Sequence, residues 1–358
     1  MRNLLLISVI YLFISCNKKI EPETPEKIFS DYKGSVVLIV NQYYYEINSS
    51  GITLYYSPSS EKKIFDTKEE VLDNLSFSTG TGFIISEQGE IITNRHVVRP
   101  IDENYKIVLA SHNQKIINNI SENVVAYNDS IERLKNYYYE NSEYMSYDTK
   151  QNFENKYDEL QSAKKFKLEL LNFAQNLDFT YANVKLVNIN IAVAYNDTYV
   201  TQINDLQECV VVKESQNQNI DLALIQTKTK TFNRLPEKIF NFNDNNPNIS
   251  INPKEYKERD IKKPVSINAD VYMIGFNRGF SLANTKQGIQ SQFTGGKVSQ
   301  ENDQERILYT IPTLEGSSGS PIIDKWGNLV AVNYAKITNS QSFSFGIPVY
   351  EVKKFIEE

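Results

Sequence analysis

Two cysteines and two histidines are all that this chain of 358 residues contains of either type. A framework of several disulfides is therefore excluded, and chemistry that needs an imidazole has only His96 and His112 to draw on. Positive charge is also in short supply. With 38 basic residues against 44 acidic ones, the formal charge of −6 supplies no basic field that would gather nucleic acid, so nucleic acid is not expected as a partner. The apolar stretch Leu4–Phe13 falls short of the roughly 20 residues that a membrane-spanning helix needs. What the chain does have is a hydrophobic content of 41%, enough for a sizeable core in one large domain or two moderate ones.

The short apolar stretch follows a single positive charge, Arg2, and precedes Ser15 and Cys16 in MRNLLLISVIYLFISC, which is the layout of a secretion signal. FISC resembles the lipobox of bacterial lipoproteins, with Phe13 where leucine is usual. The resemblance implies a signal over residues 1–15, a lipid on Cys16, and a place in the bacterial cell envelope, anchored to a membrane on its periplasmic or surface side. Simple secretion with Cys16 incidental is the other reading. If Cys16 is acylated no intrachain disulfide can form, and Cys209, in ECVVV, reads as a buried core residue. Hydrophilic residues 16–27, with two prolines, read as a tether.

SVVLIV, Ser35–Val40, is β-branched and apolar, as a core strand is. The Tyr-rich segment Gln42–Ser57 fits a hairpin turning at Ser49-Ser50-Gly51, and Ser78–Val98 reads as strand, Glu87-Gln88-Gly89 turn and strand, ending at a histidine. Over about residues 129–179 the period changes. Asp129-Ser130-Ile131-Glu132 and Asp148-Thr149-Lys150-Gln151 each place a capping residue three positions before Glu or Gln, which predicts two helix starts. Phe153, Tyr157, Leu160, Ala163, Phe166, Leu170, Phe173 and Leu177 then recur at helical spacing, and Ile131, Leu134, Tyr138 and Met145 supply a shorter partner. The expectation is a helical hairpin inserted into a β-rich chain. Residues 241–263 read as a loop joining two halves, and YEVKKFIEE as a short closing helix.

LEGSSGSPIID, Leu314–Asp324, sets Ser317, Ser318 and Ser320 among glycines. Such a run is most often a turn or a linker. It could also hold a nucleophilic serine, which needs a base, a carboxylate to orient the base, and N–H donors for the oxyanion. His96, in IITNRHVV, stands at the end of a strand that can aim it, although alone it would pass for a structural residue. His112, in LASHNQKI, stands in a polar, turn-like context. Asp221 heads DLALIQ, where a carboxylate can be held partly buried. The joint appearance of His96, Asp221 and the serines, each at a strand end, favours chemistry over a plain linker.

TNRHVV, DLALIQ and GSSGSP, in that order, resemble the three signatures of trypsin-like serine peptidases of the chymotrypsin fold, most closely the bacterial HtrA/Deg-like branch. GTGFIIS, DVYMIGF, TGGKVSQ and FSFGIPV extend the resemblance over most of the chain outside the helical hairpin and the Tyr-rich segment. It implies an all-β fold over residues 28–358: a chymotrypsin-like double β-barrel, here with an inserted α-helical hairpin and a short C-terminal helix. It implies a serine endopeptidase of protein or peptide substrates that uses no cofactor and no metal. His96 would be the base, Asp221 its orienter, Ser318 the nucleophile that forms an acyl-enzyme, and the backbone N–H groups of Gly316 and Ser318 the oxyanion hole. Pro312 would lie at the base of the pocket for the residue before the scissile bond, disfavouring Arg and Lys there, with Glu315 at its rim. Ser317 and Ser320 depart from the family's Asp or Asn and Gly. The interval of 125 positions from His96 to Asp221 is long for the family, and the hairpin accounts for most of the excess. The peptide-binding module that often follows the peptidase in the HtrA-like branch is not expected here. A second class stays open: a binding or scaffold lipoprotein that keeps the peptidase fold and docks a partner on the hairpin, with little or no proteolysis.

Overall fold

The computed structural model describes residues 22–102, 104–240, 242, 265–300, 305–336 and 343–358. The expected signal at 1–15, Cys16, and all but Phe242 of the loop at 241–263 lie outside them. The expected tether reaches too far. Glu23 N–H donates to the Lys325 carbonyl at 3.0 Å, and helix α1 (Pro25–Tyr32) begins where Thr24 accepts from the Lys27 N–H and Pro25 supplies a preset φ.

The run VVLIVNQYYYEINS keeps β1 (Val36–Ser49) extended for 14 residues. It turns through Ser50 and Gly51, both at positive φ (51° and 79°) as a two-residue hairpin demands, into β2 (Ile52–Tyr56), which pairs with the short β3 (Ile64–Phe65). A short helix, α2 (Lys68–Leu72), leads to the expected hairpin of β4 (Ser76–Ile84) and β5 (Glu90–Thr93). After a helical excursion come β6 (Asn183–Tyr195), β7 (Gln207–Glu214) and β8 (Ala223–Thr227). The antiparallel order β1-β4-β5-β8-β7-β6, with β6 pairing back onto β1, closes a six-stranded barrel around Val37, Ile39, Ile91, Val193 and Ile225.

The second sheet comprises β9 (Asp270–Gly275), then, after a two-stranded ribbon of β10 (Asn284–Thr285) and β11 (Gly288–Ile289), β12 (Gln292–Lys297), β13 (Ile307–Tyr309), β14 (Pro321–Asp324), β15 (Leu329–Lys336) and β16 (Ser344–Pro348). Its order is β12-β9-β14-β15-β16-β13, and a bridge between Val298 and Tyr309 joins the two edges. Val271, Met273, Tyr309, Ile322 and Val330 fill it. Leu38, Phe83, Ile274, Phe276 and Val332 form the common core between the barrels, together with Ile28 of α1 and Phe355 of the closing helix Val349–Glu357. The expected double barrel, with its helical hairpin and C-terminal helix, is therefore what the chain forms.

The hairpin begins earlier than its caps suggest. A one-turn helix, α3 (Arg95–Val98), precedes α4 (Tyr105–Asn141), and α5 (Tyr147–Gln175) returns beside it. Helix α4 thus starts at Tyr105 rather than near Asp129, at about 1.5 Å per residue a rod roughly 55 Å long. Its inward stripe, buried at Leu109 and Ile131 and half-buried at Ile117, Ile120, Val124 and Leu134, is regular, but polar Asn113 interrupts it, with Nδ2 donating to the Ala174 carbonyl at 2.8 Å. Ser130, part of the expected cap, lies inside the helix and donates back to the Ala126 carbonyl instead. In α5 the cap is Ser146, which accepts from the Thr149 N–H, not Asp148. His112 consequently sits in α4 and not in a turn.

The outer half of β1 extends beyond the barrel, pairing with β2 on one side and β6 on the other. Tyr43, Tyr45, Ile47 and Tyr56 from this extension bury Leu109 of α4 and pack against Tyr105 and Phe179. Burying one such leucine contributes about 1.5–3 kcal/mol. The Tyr-rich segment and the helical hairpin, which look like separate insertions in the sequence, are one unit.

Candidate active site

β5 delivers the chain into Asn94 and α3, so His96 stands at a strand end as expected. Asn94 Nδ2 and the Arg95 N–H both donate to the Asp221 carbonyl, at 2.8 and 3.3 Å, which clips α3 to the residue that leads into β8. Asp221 spans the histidine with both carboxylate oxygens. Oδ1 accepts the His96 backbone N–H at 3.0 Å, and Oδ2 accepts from the ring Nδ1 at 2.5 Å. That arrangement puts the ring proton on Nδ1 and leaves the lone pair of Nε2 free to act as a base. The imidazole is 43% exposed and the carboxylate 18%, so the ring faces outward and the carboxylate beneath it is shielded. The Arg95 guanidinium donates to the carbonyls of Ser215 and Gln218, at 3.0 and 3.3 Å, holding the turn that presents Asp221.

The serine run is a turn between β13 and β14. Ser317 is buried, with Oγ donating to the Leu314 carbonyl at 2.6 Å. Ser320 is buried against Gly275, its hydroxyl without a hydrogen-bond partner. Ser318 alone of the three is half-exposed, and its hydroxyl makes no hydrogen bond to any described residue, His96 included. Of the two departures from the family pattern, then, Ser317 is an internal brace, and Ser320 sits in ordinary backbone where no positive φ calls for glycine. Gly316 and Gly319 have φ of 92° and 88°, and a Cβ would fall 2.4 Å from the Phe276 carbonyl oxygen in the first and 2.0 Å from the Thr81 carbonyl oxygen in the second. Both positions require glycine by conformation and by space.

Thr81, the second residue of GTGFIIS, ties this turn to the histidine. Its N–H donates to the Ser318 carbonyl and its Oγ1 to the Gly316 carbonyl, both at 2.8 Å, while its own carbonyl accepts from Thr93 Oγ1 at 2.8 Å, three residues before His96. The Glu315 carbonyl is drawn away by the Arg278 N–H at 2.5 Å, and among the described residues the N–H groups of Gly316 and Ser318 meet no acceptor. Asn333 braces the turn from behind. Its Nδ2 donates to the Ser317 carbonyl at 2.9 Å, its carbonyl accepts the Gly319 N–H at 2.8 Å, and Tyr309 Oη donates to its Oδ1 at 2.7 Å. Sequence reasoning missed Thr81, Arg95 and Asn333. The one visible signal was Asn333, a polar residue in the apolar strand LVAVNYA.

Pro312 and Glu315 are both exposed, while Ile311 and Thr313 between and beside them point inward. Among the described residues no cluster of His, Cys, Asp and Glu could hold a metal ion, and no helix is long and apolar enough to cross a membrane. Cys209 is buried, and that burial pushes its thiol up to about 12, so it stays protonated and unreactive. Burial likewise holds His112 below its ordinary value.

The two barrels, with a bridged His–Asp pair on the first and a glycine-bounded serine turn on the second, make up a chymotrypsin-like double barrel. Residues 180–332 match the family model described as a trypsin-like peptidase domain. The match opens at Thr180, after α5, so it takes in Asp221 and Ser318 and leaves His96 on the far side of the hairpin. Among solved structures, the chain is similar to the serine endoprotease from Yersinia pestis, at 14% identity over 94% of this chain and 67% of that one, with a TM-score of 0.44.

Proposed function

We propose that the protein is a lipid-anchored endopeptidase of the bacterial cell envelope that cleaves protein substrates through His96, Asp221 and Ser318. The observation that carries the reading is the two-pronged grip of Asp221 on His96, with the Ser318 turn bound to the same strand hairpin through Thr81. Ser318 Oγ attacks the scissile carbonyl as His96 Nε2 takes its proton; the oxyanion forms against the free N–H groups of Gly316 and Ser318. His96 then returns the proton to the leaving amine, and water hydrolyses the acyl-enzyme by the same route. Pro312 offers no charge to a substrate Arg or Lys, which favours a small or apolar residue before the cleaved bond.

A fluorophosphonate probe should label the wild-type chain, Ser317→Ala and Ser320→Ala, but neither Ser318→Ala nor His96→Ala. Labelling of Ser318→Ala at the wild-type level would sink the assignment. For the anchor, Cys16→Ser should release the protein from the membrane fraction; unchanged partitioning would contradict a lipid at that residue.

A second role for the hairpin draws on Tyr137, Tyr139, Tyr144 and Tyr147, all exposed around its free end. Exposed tyrosines supply large contact area at low entropic cost, and a protein partner docked there would bring substrate to the peptidase. Replacing the four by serine should abolish partner capture and leave peptide turnover unchanged; retained capture would contradict the docking role.

A further inference from the structure

β1 presents one continuous buried row: Val37, Ile39, Asn41, Tyr43, Tyr45 and Ile47. Asn41 is its only amide. A buried amide in an apolar face is costly unless it is hydrogen-bonded, and this one is spent on α3: Nδ2 donates to the carbonyls of Val97 and Val98, each at 3.2 Å. Its cross-strand partner on β4, Ser78, donates through Oγ to the Val97 carbonyl at 3.0 Å. From the other neighbour, β6, Asn188 Nδ2 donates to the Val98 carbonyl at 2.9 Å.

Asn188 reaches that carbonyl because β6 bulges. Gln42 pairs with Asn190 and Tyr43 with Asn188, so Ile189 is an extra residue. The bulge shifts the alternation of β6 by one and turns Asn188 onto the face of Asn41; in the register that holds from Asn190 onward, Ile189 would take its place. A one-turn helix has too few internal bonds to fix its own direction, and its last carbonyls need outside donors. Here those donors come from three adjacent strands, and the carbonyls they hold belong to the two residues after His96.

We infer that Ser78, Asn41 and Asn188 are positioning residues: a row of donors across β4, β1 and β6 that holds the end of α3 and thereby aims the His96 ring. The inference rests on reading His96 as the general base. It also explains how the inserted hairpin is tolerated beside the site. The chain leaves for α4 directly after α3 and returns in β6 a few residues before Asn188, so the row stitches the insertion's entry and exit together and isolates His96 from it.

The test uses the full chain with Ser78→Ala, Ser78→Thr, Asn188→Ala and Asn188→Asp, read by two measurements. The first is the rate of fluorophosphonate acylation. The second, independent of activity, is the downfield proton resonance of the His96 Nδ1–H bound to Asp221, assigned by its loss in His96→Gln in a chain with only two histidines. The two alanine variants and Asn188→Asp should acylate about 10- to 100-fold more slowly, as a small misplacement of a reacting group would cause, and should shift or broaden the resonance. Ser78→Thr, which keeps the hydroxyl, should retain both. Folded Ser78→Ala and Asn188→Ala chains with wild-type rate and unchanged resonance would overturn the inference. If the wild type is not acylated but the resonance still responds to these variants, the positioning row stands and the peptidase mechanism falls. Ser78 is only half-buried, so its Ala and Thr pair remains decisive even if Asn188→Ala fails to fold.

Discussion

The two barrels hold their shares of the site by different means. In the first, His96 and Asp221 are fixed by side chains that reach in from several strands and loops: Asn94, Arg95, Asn41, Ser78 and Asn188. In the second, Ser318 is fixed by backbone, between glycines at φ of 92° and 88° with no clearance for a methyl group. The difference bears on what each half can tolerate. A site held by side chains accepts long insertions next to it, and the first barrel carries helices of 37 and 29 residues between His96 and the next barrel strand. A site held by backbone accepts almost none.

The comparison is most sharply tested at Asp221. Asp221→Asn keeps the shape but offers an N–H where the ring needs an acceptor, so the acylation rate should fall about ten-thousand-fold, roughly 5 kcal/mol of barrier, with little change in urea stability. A loss of both together would mean that Asp221 is structural. In the other barrel the ranking should reverse. Gly319→Ala forces a Cβ against the Thr81 carbonyl, and urea denaturation should show a stability loss of about 3 kcal/mol or more. A stable Gly319→Ala chain would show that the turn adapts.

Leu109→Ala empties the base of the helical hairpin. It should cost about 2 kcal/mol, seen as faster hydrogen exchange in α4 and the outer half of β1, while acylation stays near wild type. A large fall in acylation would mean that the row at Asn41 does not isolate His96. The smallest effect is expected at the seam between the barrels, where Asp197 accepts from Gln290 Nε2 at 2.9 Å and pairs with Lys33 at 3.1 Å. The Gln290 amide first, and then the Lys33 ammonium, hold its carboxyl below the ordinary 3.8. Its contribution is therefore full above that value and lost as the pH falls through the lower folded-state pKa. With a side chain 37% exposed, the gap between wild type and Asp197→Asn should stay under about 1 kcal/mol at neutral pH and close on acidification. A gap that widened in acid would reverse the sign of this reading.

How much of this was legible in the sequence follows the same division. The meeting of His96 with Asp221 and the exposed turn at Ser318 could be read because they sit in short motifs at strand ends, and α5 could be read because its apolar stripe is unbroken. The start of α4 could not, because Asn113 sits in the stripe and the surrounding Asn and Ser residues resemble caps and turns. Nor could the union of the Tyr-rich strands with the hairpin, since Tyr43, Tyr56 and Leu109 meet only through tertiary packing. Thr81 and Asn188 were hidden for a related reason. The role of Thr81 depends on the approach of the second barrel, and that of Asn188 on a bulge that no local residue announces.

In the proposed mechanism Ser318, driven by His96, forms a covalent acyl-enzyme. Rapid mixing with an activated chromogenic ester tests it most directly. The wild-type chain should release a burst of leaving group of one equivalent, with the acyl mass on the peptide that contains Ser318, and Ser318→Ala and His96→Ala should give no burst. A burst that survives in Ser318→Ala, or an adduct on Ser317 or Ser320, would contradict it.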